Sequence, residues 1–182
     1  MEIARADASL ATLTLIQSVL VMETIQSYAS EEQKKKFFPE IIDFQIISSW
    51  ALIEPLVGSD AANITTSVKK ASDGYVLNGG KRWIGSANRD VTIVWARNEE
   101  SKKIEGFFVP KGTPGVEVEV IQNKLAMRTI QNCNISYKDA LIPLENKLPG
   151  ADLGFASINK LLENSRIFVA WITVGLALGV YD

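Results

Sequence analysis

The sequence predicts an α+β fold, with a helical segment first, a β-rich middle, and a second helical segment last. Three changes of period carry this. Apolar residues recur every three or four positions up to about Asp43, and every second position from about Ile46 to Ile142. After Leu148-Pro149-Gly150 the helical spacing returns.

In the first segment Leu10, Leu13, Ile16 and Leu20 would form one apolar stripe. Thr12 and Thr14 lower the intrinsic propensity, so packing must supply much of the stability. Ser30 followed by Gln33 makes a capping box, and Glu31 and Glu32 suit the same helix N-terminus. Phe37, Phe38, Ile41 and Ile42 give that helix an apolar face, which Pro39 limits or bends.

The middle begins with a hairpin over 66–78, turning at Asp73-Gly74. Val91 to Ala96 and Ile104 to Val109 read as strands joined by a charged loop from Asn98 to Lys103. A turn at Gly112, Pro114 and Gly115 leads into Val116 to Val120, and Ile130 to Ser136 and Ala140 to Ile142 complete the series. Many short strands with glycine-bearing turns favour an antiparallel barrel or sandwich. From about Asp152 the chain turns helical, with Ile158, Leu161, Leu162, Ser165 and Val169 able to share a face. Beyond Phe168 it is apolar nearly all round and calls for burial.

The formal charge is -2 and no basic run exceeds Lys34-Lys35-Lys36, so a nucleic-acid partner is not expected. With no histidine, Ser-His-acid and Cys-His catalysis and His-ligated metal sites are excluded, and no metal is expected. The single cysteine, Cys133, cannot form an internal disulfide. The N-terminal residues lack the basic region of a signal peptide. The longest apolar run, Ile167 to Tyr181, falls short of the roughly 20 residues that span a bilayer, so a buried helix is expected there and no transmembrane segment.

The segment from Trp50 to Asp60, Trp-Ala-Leu-Ile-Glu-Pro-Leu-Val-Gly-Ser-Asp, and the segment from Gly79 to Ser86, Gly-Gly-Lys-Arg-Trp-Ile-Gly-Ser, resemble two signatures of the acyl-CoA dehydrogenase/oxidase family. Gly106 to Val109, Lys124 to Arg128, Leu148-Pro149-Gly150 and the helix around Arg166 resemble it in the same order. Within the family the chain looks nearest to the glutaryl-CoA-dehydrogenase-like branch and its short-chain peroxisomal oxidases of plants. Lys81 to Gly85 supports this placement, because most relatives have threonine where Gly85 stands. The resemblance implies three parts: the end of an N-terminal helical domain (1–45), a middle β-domain contacting flavin and acyl-CoA (46–148), and the incomplete start of a C-terminal helical bundle (149–182).

By the same resemblance the cofactor is FAD, contacted by Trp50, Leu52, Ile53, Ser59, Trp83 and Gly85. The plain alternatives are a capped loop at Asp60 for the Ser59 segment and core packing for Trp50 and Trp83. Ile53 and Gly85 each replace a family threonine, so two side-chain contacts to flavin are absent. Ser59 would also meet the substrate, together with a helix face carrying Ala11 and Leu15. Glutaryl-specific relatives recognise the distal carboxylate with an arginine and a serine there. Ala11 and Leu15 cannot, so a short apolar acyl chain is expected. Arg128, with Lys124, and Arg166 are read as structural or interdomain cations.

The implied reaction is FAD-dependent α,β-dehydrogenation of a short-chain acyl-CoA in fatty-acid β-oxidation. O2 accepts the electrons in an oxidase, and an electron-transfer flavoprotein does so in a dehydrogenase. No catalytic residue is assigned. Where some relatives place a glutamate before the arginine stands Ser165, and Glu163 lies on another face of the helix. The competing reading is a non-catalytic flavin- or partner-binding module derived from that family. A homo-oligomer and a peroxisomal location are implied as well, with the mitochondrial matrix or cytosol as alternatives; Val180-Tyr181-Asp182 is no peroxisomal signal.

Overall fold

A computed structural model describes residues 1–151 and 153–182. The helical start divides into α1 (Glu2–Ala6), α2 (Ala8–Leu15), a π-helical stretch (Ile16–Val21), α3 (Met22–Tyr28) and α4 (Glu31–Ile42). Asp7 caps α2 by accepting from the Leu10 N–H at 2.7 Å. The predicted capping box is present. Ser30 Oγ accepts from the Gln33 N–H at 3.2 Å, and Gln33 Oε1 accepts from the Ser30 N–H at 2.9 Å. Pro39 sits within α4 and the helix ends one turn later.

The predicted apolar stripe on the first helix is corrected. The buried positions are Ala11, Leu15, Val19, Val21 and Ile25, whereas Leu10 is 53% exposed and Leu13, Ile16 and Leu20 are half-buried. Two causes act together. Small Ser9 and Ala11 allow α2 a close approach to its neighbours, and the i→i+5 turns of the π-helix shift the phase of every later residue.

Seven strands follow: β1 (Ser48–Ala51), β2 (Ser67–Lys70), β3 (Gly74–Gly85), β4 (Val91–Asn98), β5 (Ile104–Pro110), β6 (Val116–Val120) and β7 (Asn132–Pro143). β2 and β3 form the predicted hairpin, with Lys70 opposite Tyr75. The curled sheet runs β1-β4-β2-β3-β7-β6, with β5 on β4. It is mixed, because β1 and β2 both pair with β4 in parallel. The two predicted strands from Ile130 to Ile142 are one continuous β7. Asp139, at φ 49°, turns the backbone locally while pairing to β3 resumes on both sides.

β4 is buried on both faces, and its alternation separates two cores. Val91, Ile93 and Trp95 face the helical layer with Val21, Ile25, Phe37, Ile41, Ile158 and Leu161. Val94 and Ala96 face the inside of the curl with Leu77, Ile84, Phe107, Ile135 and Ile142. Phe37 stacks on Phe108 across the first core at 4.4 Å.

The last element is α5 (Phe155–Tyr181); Asp152, where the sequence places its start, lies outside the described residues. Ile158, Leu161 and Ser165 are buried and Leu162 is half-buried, but Val169 is 51% exposed. The expected burial of the final apolar run is not met within this chain, since Ile167, Phe168, Trp171 and Val180 are all exposed. By length and composition alone, Ala8–Tyr28 and Phe155–Tyr181 would each suffice to cross a membrane.

Candidate functional site

Three pieces of chain meet at one end of the curled sheet. Gln17, in the π-helical stretch, exchanges two hydrogen bonds with the Ser48 backbone and so ties that stretch to β1. The segment leaving β1 is tied to β3: the Arg82 N–H donates to Ile53 O at 2.9 Å. Between Lys81 and Ile84 the β3–β7 register shifts, and Trp83 there has φ 62°. This irregularity turns Trp83 outward, leaving it 51% exposed.

A buried ion pair closes the junction. Lys81 is fully buried, and its Nζ donates to Glu54 Oε1 and to Leu52 O, both at 2.9 Å. The Glu54 carboxylate also accepts from Thr65 N and Thr65 Oγ1 at 2.7 Å and from Thr66 N at 2.8 Å. Burial alone would raise the Glu54 pKa. The Lys81 ammonium and the Thr66 and Thr65 hydrogen bonds outweigh it and hold the carboxyl at about 2. Burial lowers Lys81 to about 8 against the pull of Glu54. The carboxylate, with its additional donors, is therefore the partner whose charge is secured.

The structure places the expected cofactor residues unevenly. Trp83 and Ile53 present apolar surface to solvent, with Ile53 39% exposed. Ser59 is exposed and has no hydrogen-bond partner among the described residues. Leu52 buries its side chain in the helix-facing core and offers only backbone. Trp50 is half-buried, donates from Nε1 to Thr24 Oγ1 at 3.1 Å, and meets Trp95 edge-on at 6.0 Å. Gly85 is buried against Ile16 and Ile130.

Ala11 and Leu15 are both buried, 7% and 8% exposed, whereas Thr12, Leu13 and Ile16 keep part of their surface. Arg128 and Arg166 are exposed and make no ion pair among the described residues. Lys124 holds its loop by donating to the backbone oxygens of Met127 and Ile130. Ser165 is buried and donates to Leu162 O at 2.9 Å, while Glu163 is exposed and accepts from Asn159.

These residues fit a flat, partly apolar group that carries phosphate. An outward indole follows Arg82, whose N–H holds the backbone of exposed Ile53, and a hydroxyl lies one residue beyond Gly58. A side chain built at Gly58 would meet nothing within 4 Å, and its φ is not positive, so the chain's own packing does not require glycine there. Open space beside a free hydroxyl leaves room for a ligand's close approach.

The family description "Acyl-CoA dehydrogenase, middle domain" matches residues 49–140, and "Acyl-CoA dehydrogenase, N-terminal domain" matches residues 1–45. The chain belongs to the acyl-CoA dehydrogenase family. It is 33% identical to the mitochondrial short-chain specific acyl-CoA dehydrogenase of Mus musculus and 30% identical to the mitochondrial isovaleryl-CoA dehydrogenase of Pongo abelii. Both alignments take in 100% of this chain, which spans 45% of the mouse and 44% of the orangutan protein. Among solved structures, butyryl-CoA dehydrogenase from Megasphaera elsdenii is similar with a TM-score of 0.90 and 31% identity over 97% of this chain and 47% of that one. A glutaryl-CoA dehydrogenase from Mycobacterium smegmatis in complex with FADH2 matches with a TM-score of 0.88 and 31% identity, over 92% of this chain and 43% of that one.

These relatives span short-chain, branched-chain and glutaryl enzymes, so they support the acyl-CoA dehydrogenase family without singling out the plant oxidase branch. The expected peroxisomal location is overturned, because the curated relatives are mitochondrial proteins. Sequence reasoning missed the Glu54–Lys81 pair, the Thr24 partner of Trp50, and Ile16 against Gly85. Glu54 lies in the loop after β1 and Lys81 in β3, so the two share no periodic signal.

Proposed function

We propose that this chain forms the flavin- and thioester-binding part of an acyl-CoA dehydrogenase and does not itself supply the catalytic base. The observation that carries this is the outward Trp83, on the part of β3 that the Arg82–Ile53 hydrogen bond and the Glu54–Lys81 pair tie to the segment leaving β1. FAD is the cofactor that suits it. When bound, FAD supplies the acceptor for the β-hydride of an acyl-CoA thioester. The protein's own part is binding and orientation: Trp83 offers a flat apolar face, Ser59 a hydroxyl able to donate to phosphate, and Ile53 an apolar edge.

The base position beside Arg166 is occupied by Ser165, whose hydroxyl is engaged with Leu162 O. A hydroxyl without an adjacent base does not abstract an α-proton at neutral pH. The substrate class is a short acyl-CoA without a distal carboxylate, since neither Ala11 nor Leu15 can pair with one. Electron transfer to a partner flavoprotein is favoured over O2, because the curated relatives are dehydrogenases, and a mitochondrial setting is favoured on the same ground.

An absorption spectrum of the 182-residue chain after FAD loading and gel filtration tests the reading. Flavin bands are expected to stay with the protein and not to bleach on anaerobic addition of butyryl-CoA. Elution without flavin would end the cofactor assignment; bleaching would show that a base is present.

A further inference from the structure

Where β3 turns Trp83 outward, its ladder to β7 is interrupted. Lys81 pairs with Ile135 and Ile84 with Cys133, so Arg82 and Trp83 together stand opposite Asn134. One residue of β3 is therefore extra, which makes a bulge. Two of its backbone groups find partners outside the ladder. The Arg82 N–H donates to Ile53 O, and Trp83 O accepts from the side-chain Nδ2 of Asn132 at 3.0 Å. Trp83 sits at φ 62°, a left-handed conformation that a bulky residue keeps only where its surroundings hold it. Arg82 adds a hold on the ring. Its Cζ lies 5.2 Å from the ring centroid, so a flat ligand would meet the opposite face of the indole.

The Asn132 amide is itself oriented. Its Oδ1 accepts from Lys124 Nζ, and the same ammonium donates to Met127 O and Ile130 O. All three ammonium protons are thereby engaged. An ammonium only donates, so the amide oxygen of Asn132 must face Lys124 and the amide nitrogen must face Trp83 O. Turning the amide over would set donor against donor and acceptor against acceptor. Lys124 and Asn132 are both half-buried, which limits competition from water. The 124–130 loop thus reaches the Trp83 backbone through one side chain.

We infer that Asn132, oriented by Lys124, is a positioning residue that holds the Trp83 indole in its outward pose and so sets the affinity for the flat cofactor. The inference rests on the flavin-binding reading above. Asn132 acts through the Trp83 carbonyl and needs no contact with the ligand. Asn132→Asp separates this role from general support of the strand. Aspartate has nearly the same shape and keeps a charged contact with Lys124, but it presents an acceptor to Trp83 O where a donor stood.

The chain has four tryptophans, so the pose is read by 19F NMR of the protein labelled with 5-fluorotryptophan, the Trp83 resonance being the one lost in Trp83→Phe. In the ligand-free Asn132→Asp variant that resonance is expected to shift while the chain stays folded. Its affinity for FAD, titrated by flavin fluorescence, is expected to fall by about tenfold. Asn132→Ala is expected to act in the same direction and serves if the aspartate variant does not fold. Ser30→Ala, which removes the α4 cap and touches neither residue, is expected to lower stability and leave both readouts as in wild type. An unmoved Trp83 resonance overturns the inference, as does a moved resonance with unchanged FAD affinity. An equal loss of affinity in Ser30→Ala overturns it too, because affinity would then follow stability alone. A wild-type chain with no affinity for FAD overturns the cofactor reading and this role for Asn132 with it; the resonance of the free chain is read apart from that failure.

Discussion

Lys81 is a charged residue with no exposed surface, and its worth depends on its partner. Taking an ammonium and a carboxylate out of water is costly, and the attraction between them recovers that cost only with good geometry and further hydrogen bonds. Glu54 has both, through Lys81 and the two threonines. Removing one partner leaves a buried charge uncompensated. Lys81→Met is therefore expected to destabilise the chain by about 3–5 kcal/mol. The double variant Glu54→Gln/Lys81→Met is expected to recover most of that loss, because no charge then remains buried. Urea unfolding of the four proteins decides it; equal losses in the single and double variants would show that the charges do not act as a pair. Neither residue's role could be read from the sequence. A glutamate in a loop and a lysine in a strand look like surface residues until the chain brings them together.

At the scale of elements, local chemistry and tertiary packing divide the helices between them. The start of α4 is a local matter: Ser30 and Gln33 cap each other, and the same Gln33 donates from Nε2 to Glu145 O and Lys147 O at 2.7 and 2.9 Å. Ser30→Ala is expected to cost about 1 kcal/mol through loss of the cap. Thermal unfolding measures this, and an unchanged midpoint would mean that the Gln33 contacts hold the helix end without Ser30. α2 is the opposite case. Its hydropathy pattern pointed to Leu10 and Leu13, yet Ala11 and Leu15 are the buried pair. Ala11 is small, and which face a helix buries depends on how near its neighbours lie. α5 behaves similarly: Gly175 and Gly179, one turn apart, meet the backbone of α1 at Met1 and Arg5. The structure makes those glycines the contact surface of α5 with α1.

Across the whole molecule, the Glu54–Lys81 junction ties the segment that leaves β1 to β3, at the end of the sheet where the candidate site lies. Its acid response is therefore a property of the fold. The Glu54 carboxyl is held at about 2 in the folded chain, against about 4.3 in an unfolded one. A depressed folded pKa stabilises above the unfolded value, and that stability is lost as pH falls toward the folded one. Stability is expected to decline from about pH 4.3 toward pH 2, with a shallower decline in Glu54→Gln. Urea midpoints measured between pH 5 and 2 test this, and parallel profiles would remove the pair as the source.

The order of helical, β-rich and helical regions, the capping box, the hairpin at Asp73-Gly74 and the family signatures were all legible in the sequence, because each rests on neighbours a few positions apart or on motifs read in line. The parallel pairing of β1 and β2 with β4, the continuous β7, the π-helical phase shift and the buried face of α2 were decided only in three dimensions. So were the meeting of Glu54 with Lys81 and of Ile16 with Gly85. Hydrophobic burial acts on area and has no preferred direction. Periodicity can therefore say that a segment has an apolar face, but the space left by distant parts of the chain selects which residues fill it.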